Sequence, residues 1–205
     1  MIVIEAVGIG RAVAAQLAAQ GHLVLIGGRR LEESERLAAR LRDRGGSAFA
    51  AHLDLADPRS INRFLAAAHY LIGTPDVLIT DFGLVGPAGE CSDSAGVGAQ
   101  TLATRVIPAM IARGSGDVVL IGPELAGVSC AAAGRKVDAW IAALDAEFVG
   151  TGVRASVVRS AQPGALAFTA EVGRLVAGMA TESRLRLVEL LPAARSGPLT
   201  TAHED

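Results

Sequence analysis

Short apolar runs alternate with segments of helical period from one end of the chain to the other, and this alternation constrains the fold more than any other feature. A strand buried on both faces reads as a continuous apolar run, and a helix between two such strands lets them lie parallel. The runs are Ile2 to Ile4, Leu23 to Ile26, Ala48 to Leu53, Val77 to Ile79, Val118 to Ile121, Val153 to Val158 and Leu185 to Leu190. The first helix is opened by Gly8 and Gly10 and stopped by Gly21, with Ala12, Ala15, Leu17 and Ala18 suiting one buried face. The second spans Leu31 to Arg44, with Leu31, Leu37 and Leu41 inward, and ends at Gly45 and Gly46. Asp57, with Pro58 at the first helical position, starts the third. Further helices are predicted near Ala95 to Ala112, Ala131 to Phe148 and Thr169 to Met179. The pattern predicts an α/β fold: a doubly wound three-layer sandwich with a parallel sheet of about seven strands.

With 205 residues, 51% hydrophobic and 20% charged, the chain is long enough for one full core. Residues 1–192 read as a single domain and residues 193–205 as a loose tail. The net charge of -2 gives no electrostatic footprint for nucleic acid or an anionic membrane. No run of about 18 apolar residues lacks a charge or a turn former, so no spanning helix is expected. The opening MIVIEAVGIG lacks the basic flank of a signal peptide, and a cytoplasmic location is expected. Cys91 and Cys130 have no disulfide-framework or metal-ligand spacing, and His22, His52, His69 and His203 have no spacing for zinc or a triad.

Gly8, Ile9 and Gly10 open the first helix where a doubly wound fold brings backbone N–H groups and a helix N-terminus against a dinucleotide pyrophosphate. Ordinary strand-to-helix turn chemistry gives the same pattern, so both readings stay open on this motif alone. The second strand then ends in Gly27, Gly28, Arg29 and Arg30. An acid at that point would accept from the 2′-OH of NAD, whereas arginine suits the 2′-phosphate of NADP. A solvated basic turn is the alternative.

The order of these pieces resembles the short-chain dehydrogenase/reductase family over nearly the whole chain. GIGRAVAAQLAAQGHLVLIGGRR resembles the family's glycine motif and second strand, and HLDLADP its third strand. VIPAMIARGSGDVVLIG resembles the stretch ending in the catalytic-serine strand; GVRASVV with Pro163 and Gly164 resembles the sixth strand and its turn. TAEVGRLVAGMATESRLRLVELLP resembles the last helix and strand. The resemblance implies a Rossmann-like sheet of order 3-2-1-4-5-6-7 and an NADP(H)-type oxidoreductase. It implies a nucleotide pocket built from Gly8, Ile9, Gly10, Arg29, Arg30, Asp54, Leu55 and Gly83, with Asp54 and Leu55 bordering the adenine. It also implies association through the helices near 95–112 and 131–148. There Leu102, Val106, Ala109, Val137, Trp140, Ile141 and Leu144 offer an apolar face, part of which must cover the sheet.

Departures from the family pattern bear on chemistry. Val3 and Ile4 stand where the glycine motif has its threonine and first glycine, and Thr80, Asp81, Phe82 and Gly83 replace the family's N-N-A-G. A tyrosine with a lysine four residues on normally passes the proton to or from the substrate oxygen. This chain has one tyrosine, Tyr70, and one lysine, Lys136, so that motif is impossible anywhere in it. Keeping Lys136 in register puts Ala132 at the tyrosine; matching VDAWIAALDAEF without gaps puts Cys130 and Gly134 at the two positions. The serine position falls in Ile121, Gly122 and Pro123, and the asparagine position on Ala95. The loop from Pro123 to Cys130 and the lid from Ala165 to Phe168 are short for the family.

Substitute groups are Cys130, whose thiol Arg135 or Lys136 would activate, and Lys136 on the nicotinamide ribose. Asp81, Glu124 and Ser129 are expected on loops at the carboxyl ends of strands. The expectation is an NADP(H)-type family member with a degraded or altered site and weak or no hydride transfer. Two alternatives stay open: a non-catalytic structural or regulatory partner of a catalytic relative, as a homo- or hetero-oligomer, and an enzyme using Cys130 or a loop acid.

Overall fold

The alternation becomes a regular succession: β1 (Ile2–Ile4), α1 (Ile9–Ala19), β2 (Leu23–Gly28), α2 (Leu31–Asp43), β3 (Ser47–His52) and α3 (Pro58–Ile72). It continues with β4 (Val77–Asp81), α4 (Asp93–Arg113), β5 (Gly116–Ile121), α5 (Val128–Glu147), β6 (Val153–Ser160) and β7 (Leu187–Leu190). The computed structural model describes residues 2–4, 9–81, 93–121, 128–160 and 187–190. The expected helix over Thr169 to Met179, the Pro163–Gly164 turn, the lid from Ala165 to Phe168 and the 193–205 tail lie outside them.

Local chemistry sets the helix ends. Gly21 and Gly45 take φ of 83° and 85°, a left-handed conformation open to glycine. Each closes its helix in the same way: His22 N donates to Leu17 O at 3.0 Å, and Gly46 N donates to Leu41 O at 3.0 Å. Asp57 caps α3 by accepting from Arg59 N at 2.8 Å, with Pro58 supplying a first position that needs no N–H donor. Glu32 and Glu33 in the first turn of α2 and Arg40 and Arg42 in its last complement the helix dipole.

Every neighbouring strand pair is parallel, in the order β3-β2-β1-β4-β5-β6-β7. Alternate strand residues supply two cores. Val24, Ile26, Val77, Ile79, Val119 and Ile121 pack with Val13, Leu17, Leu37 and Leu41 of α1 and α2. Leu25, Leu78, Val118 and Leu120 pack with Phe64, Leu102, Met110 and Val137 of α3, α4 and α5. Burial on both faces explains why the strands are apolar throughout rather than alternating with polar residues. Truncating a fully buried residue such as Phe64 should cost about 3 to 5 kcal/mol.

The inward faces differ in detail from expectation. In α1 the buried set is Val13, Ala14, Leu17 and Ala18, while Ala12 and Ala15 lie at its margin. Leu31, expected inward, is 45% exposed, and Ser34 takes the buried place in that turn. Leu31 stands at the first position of α2, ahead of the stripe that meets the sheet. Of the apolar residues expected to offer an association face, Leu102, Val106, Val137 and Leu144 are buried in the chain's own core. Ala109 is exposed, and Trp140 and Ile141 are half-buried.

Candidate functional site

The strand order reverses at β1, whose neighbours are β2 on one side and β4 on the other. In such sheets the crevice beyond the carboxyl ends of the strands at this reversal is where ligands bind. Ile9 and Gly10 form the first turn of α1 there, with Gly10 buried; Gly8 lies outside the described residues. Ile4, at the place of the family's first glycine, remains in β1 opposite Gly27.

The end of β2 is shaped by its two glycines. A Cβ on Gly27 would meet Leu53 Cδ2 at 2.9 Å and Phe64 Cε2 at 3.0 Å, and one on Gly28 would meet Ser34 Oγ at 2.6 Å. Helices α2 and α3 therefore close on this strand end from opposite faces, and the chain leaves it as the exposed pair Arg29 and Arg30. Arg30 Nη1 lies 2.8 Å from Glu33 Oε1. Arg29 has no hydrogen bond or ion pair among the described residues.

Gly28 pairs with His52, so the segment after β3 emerges beside the arginines. Here Asp54 and Leu55 have distinct roles. Asp54 N donates to the buried Ser60 Oγ at 2.9 Å, and Asp54 Oδ1 accepts from Ala56 N at 2.9 Å, which shapes the loop. Ser60 Oγ also lies 3.2 Å from His52 Nδ1. Leu55 is buried in the core with Ala99 and Leu102 of α4.

At the end of β4, Thr80 is fully buried, and its Oγ1 has no hydrogen-bond partner among the described residues. Asp81 is the last residue of β4, and Ser129 lies in the first turn of α5. The sequence places both on loops; β4 ends two residues later and α5 begins three residues earlier than the pattern predicts. Gly83, Pro123 and Glu124 lie outside the described residues.

Cys130 belongs to the first turn of α5, and Lys136 is an exposed residue further along the same helix. At 100° per residue, helix positions 135 and 136 stand about 140° and 120° round the axis from position 130. Activation of Cys130 by Arg135 or Lys136 is therefore not favoured by helix register. Tyr70 is 88% exposed in the last turn of α3. Because α3 returns from the carboxyl end of β3 to the start of β4, that turn lies at the opposite edge of the sheet from the crevice.

Glu33, Ser34 and Ser60 have no counterpart among the residues singled out from the sequence, and Thr80 was singled out only as a departure from the family's N-N-A-G. Glu33 has a local signal, three positions after Arg30 on a helix. Ser60 has a weaker one, an alcohol one turn into a helix just after the strand end. Among the described residues no group of His, Cys, Asp and Glu is placed to hold a metal ion, and no helix is long and apolar enough to cross a membrane.

Residues 1–174 match the family model described as short chain dehydrogenase. The chain belongs to this family. The glycine betaine reductase ATRR of Emericella nidulans is 30% identical over 181 residues, 77% of this chain but only 13% of that much longer relative. The 2,5-dichloro-2,5-cyclohexadiene-1,4-diol dehydrogenase LinX of Sphingobium indicum is 29% identical over 167 residues, 74% of this chain and 67% of LinX. Among solved structures, a metagenomic short-chain oxidoreductase in complex with NADP superposes with a TM-score of 0.79 at 24% identity, covering 94% of this chain and 96% of that one. Serine dehydrogenase from Escherichia coli gives 0.76 at 24% identity, covering 94% and 98%. At such identities the structural likeness establishes the Rossmann-like α/β fold.

Proposed function

We propose that this short-chain dehydrogenase family member binds NADP(H) and carries an altered active site with weak or no hydride transfer. The observation that carries the nucleotide reading is the exposed Arg29 and Arg30 pair directly after β2, with no acid at the strand end. A 2′-phosphate there meets two guanidinium groups, whereas no acid directly follows the strand to accept a hydrogen bond from the ribose 2′-OH of NAD, and the nearby Glu33 carboxylate is paired with Arg30. The adenosine half fits the residues present: Asp54 and Leu55 emerge beside the arginines, and Gly10 opens α1 at the sheet reversal. Gly8, Ile9 and Gly83 complete the pocket in this reading. The NADP-bound short-chain oxidoreductase with the same fold supports the choice of nucleotide.

The chemical half of the proposal rests on what the chain can supply. When bound, a reduced nicotinamide supplies a hydride. The accompanying proton needs an acid within hydrogen-bond reach of the substrate oxygen. Tyr70, exposed in the last turn of α3, cannot provide it from the far edge of the sheet, and Lys136 has no tyrosine four residues before it. Cys130 in the first turn of α5 and Asp81 at the end of β4 are the candidate acids if turnover exists.

A second reading, in which the domain serves as the non-catalytic subunit of an oligomer, has support in the outer face of α4. Val97 is 62% exposed and Ile111 39% exposed, fourteen positions apart and so on one side of the helix. With the half-buried Trp140 and Ile141 of α5 they are the residues through which a second subunit would associate, Ala109 standing on the other flank of α4. The domain is read as residues 1–192 with a sheet of about seven strands.

The test of the nucleotide reading is a pair of titrations, NADPH and NADH, followed by nicotinamide fluorescence. Binding of NADPH tenfold or more tighter than NADH is the expected result; equal affinities would make the arginines a merely solvated turn.

A further inference from the structure

There is no room for a side chain at position 98, where α4 crosses the loop that follows β3. A Cβ on Gly98 would lie 2.1 Å from the Leu55 carbonyl oxygen, 2.7 Å from its carbonyl carbon and 2.6 Å from its Cβ. Two of these three atoms are backbone, so no change of rotamer relieves the contact. Leu55 is only 9% exposed and packs in the core with Ala99 and Leu102.

The same loop is tied down at its other points by its own neighbours. Asp54 N donates to Ser60 Oγ, Ala56 N donates to Asp54 Oδ1, and Asp57 caps α3. Those bonds fix the loop's shape. They do not fix its height relative to α4; the contact at Gly98 does, supported by a strut in which Arg105 of α4 bonds Asn62 of α3.

We propose that Gly98 is a positioning residue for the adenosine half of the dinucleotide, because it lets α4 seat directly on Leu55. This rests on the nucleotide reading above, in which Asp54 and Leu55 border the adenine beside Arg29 and Arg30. A methyl group at position 98 has to displace the Leu55 carbonyl by about 1 Å, a misplacement large enough to matter at a site built for a fixed geometry. The displaced backbone is that of the adenine edge itself, so the nucleotide's adenosine end should feel it directly.

The experiment compares the wild type with Gly98→Ala by calorimetric titration of 2′,5′-ADP, which carries the adenosine end and the phosphate alone. Amide exchange at Asp54 and Ala56 is measured in the same ligand-free proteins, at a temperature well below melting. Gly98→Ala should weaken 2′,5′-ADP about tenfold or more and accelerate exchange at both amides. Met110→Ala, fully buried near the far end of the same helix, should lower the melting temperature while leaving both readouts unchanged. Unchanged exchange in a folded Gly98→Ala protein overturns the proposal, as does an equal loss of 2′,5′-ADP affinity in Met110→Ala. Should Gly98→Ala fail to fold, Leu55→Ala removes the buried anchor without forcing the backbone, and amide exchange in the ligand-free protein, which a lost adenine contact would not move, decides: faster exchange at Asp54 and Ala56 supports the proposal and unchanged exchange overturns it. A wild type that does not bind 2′,5′-ADP sinks the nucleotide reading and with it the role toward adenosine, and exchange at Asp54 and Ala56 then reports only whether Gly98 sets the position of the loop.

Discussion

Arg30 Nη1 sits 2.8 Å from Glu33 Oε1, so one of the two cations at the end of β2 already holds a carboxylate from the first turn of α2. The arginine side chain is 73% exposed, which keeps the pair weak and screened. A phosphate arriving at this turn competes with Glu33 for Arg30, whereas Arg29 is free of that competition. Glu33→Gln should therefore tighten 2′,5′-ADP binding several-fold at low salt, with the gain shrinking at high salt. Calorimetry at two ionic strengths checks this, and an unchanged affinity at both would mean that Arg30 does not meet the phosphate.

Arg29 is the residue on which cofactor choice should depend most. A charge-assisted hydrogen bond to phosphate contributes about 1.5 to 3 kcal/mol. Arg29→Ala should lower NADPH affinity by roughly that amount while leaving NADH binding almost unchanged. If both affinities fall together, the arginine supports the fold of the turn rather than reading the phosphate.

Ser60 Oγ is the buried acceptor that fixes the Asp54 amide. Ser60→Ala leaves that N–H without its partner and should cost about 1 to 3 kcal/mol in urea-melt stability. A loss below about 0.5 kcal/mol would show that water replaces the hydroxyl.

Thr80 makes the opposite prediction. Its fully buried hydroxyl is unpaired among the described residues, so Thr80→Val removes a polar group without changing shape. The ligand-free protein should be as stable or up to about 1 kcal/mol more stable. Destabilisation by more than about 1 kcal/mol would mean that the hydroxyl is bonded in solution.

The fold was legible because strand residues face two cores, one under α1 and α2 and one under α3, α4 and α5, and this leaves a continuous apolar signature. Helix ends were legible where glycine takes a left-handed conformation, as at Gly21 and Gly45. The exposure of Leu31 was not, since its position ahead of the buried stripe depends on how α2 meets β2. Nor was the division of apolar residues in α4 and α5 between core and surface, because helical periodicity marks a face but not its partner. At the site, Arg29 and Arg30 stand where the strand pattern placed them. The contacts that restrain the site, Glu33 on Arg30, Ser60 on Asp54 and Gly98 against Leu55, join residues through tertiary placement. A sequence records such contacts only as residue types compatible with them.

Nucleotide binding without tyrosine-based proton transfer is read in one experiment: the protein is saturated with NADPH under nicotinamide fluorescence, and a panel of ketones and quinones is added to the complex. The expected result is a saturable fluorescence signal that then persists, since general acid catalysis contributes about 10² to 10⁴ in rate and the chain has no tyrosine followed four residues on by a lysine. Rapid decay of the signal with stoichiometric alcohol or hydroquinone formation would contradict the claim. Repeating it with Cys130→Ala would then distinguish a thiol acid, whose loss stops the decay, from a carboxylate such as Asp81, which leaves it running.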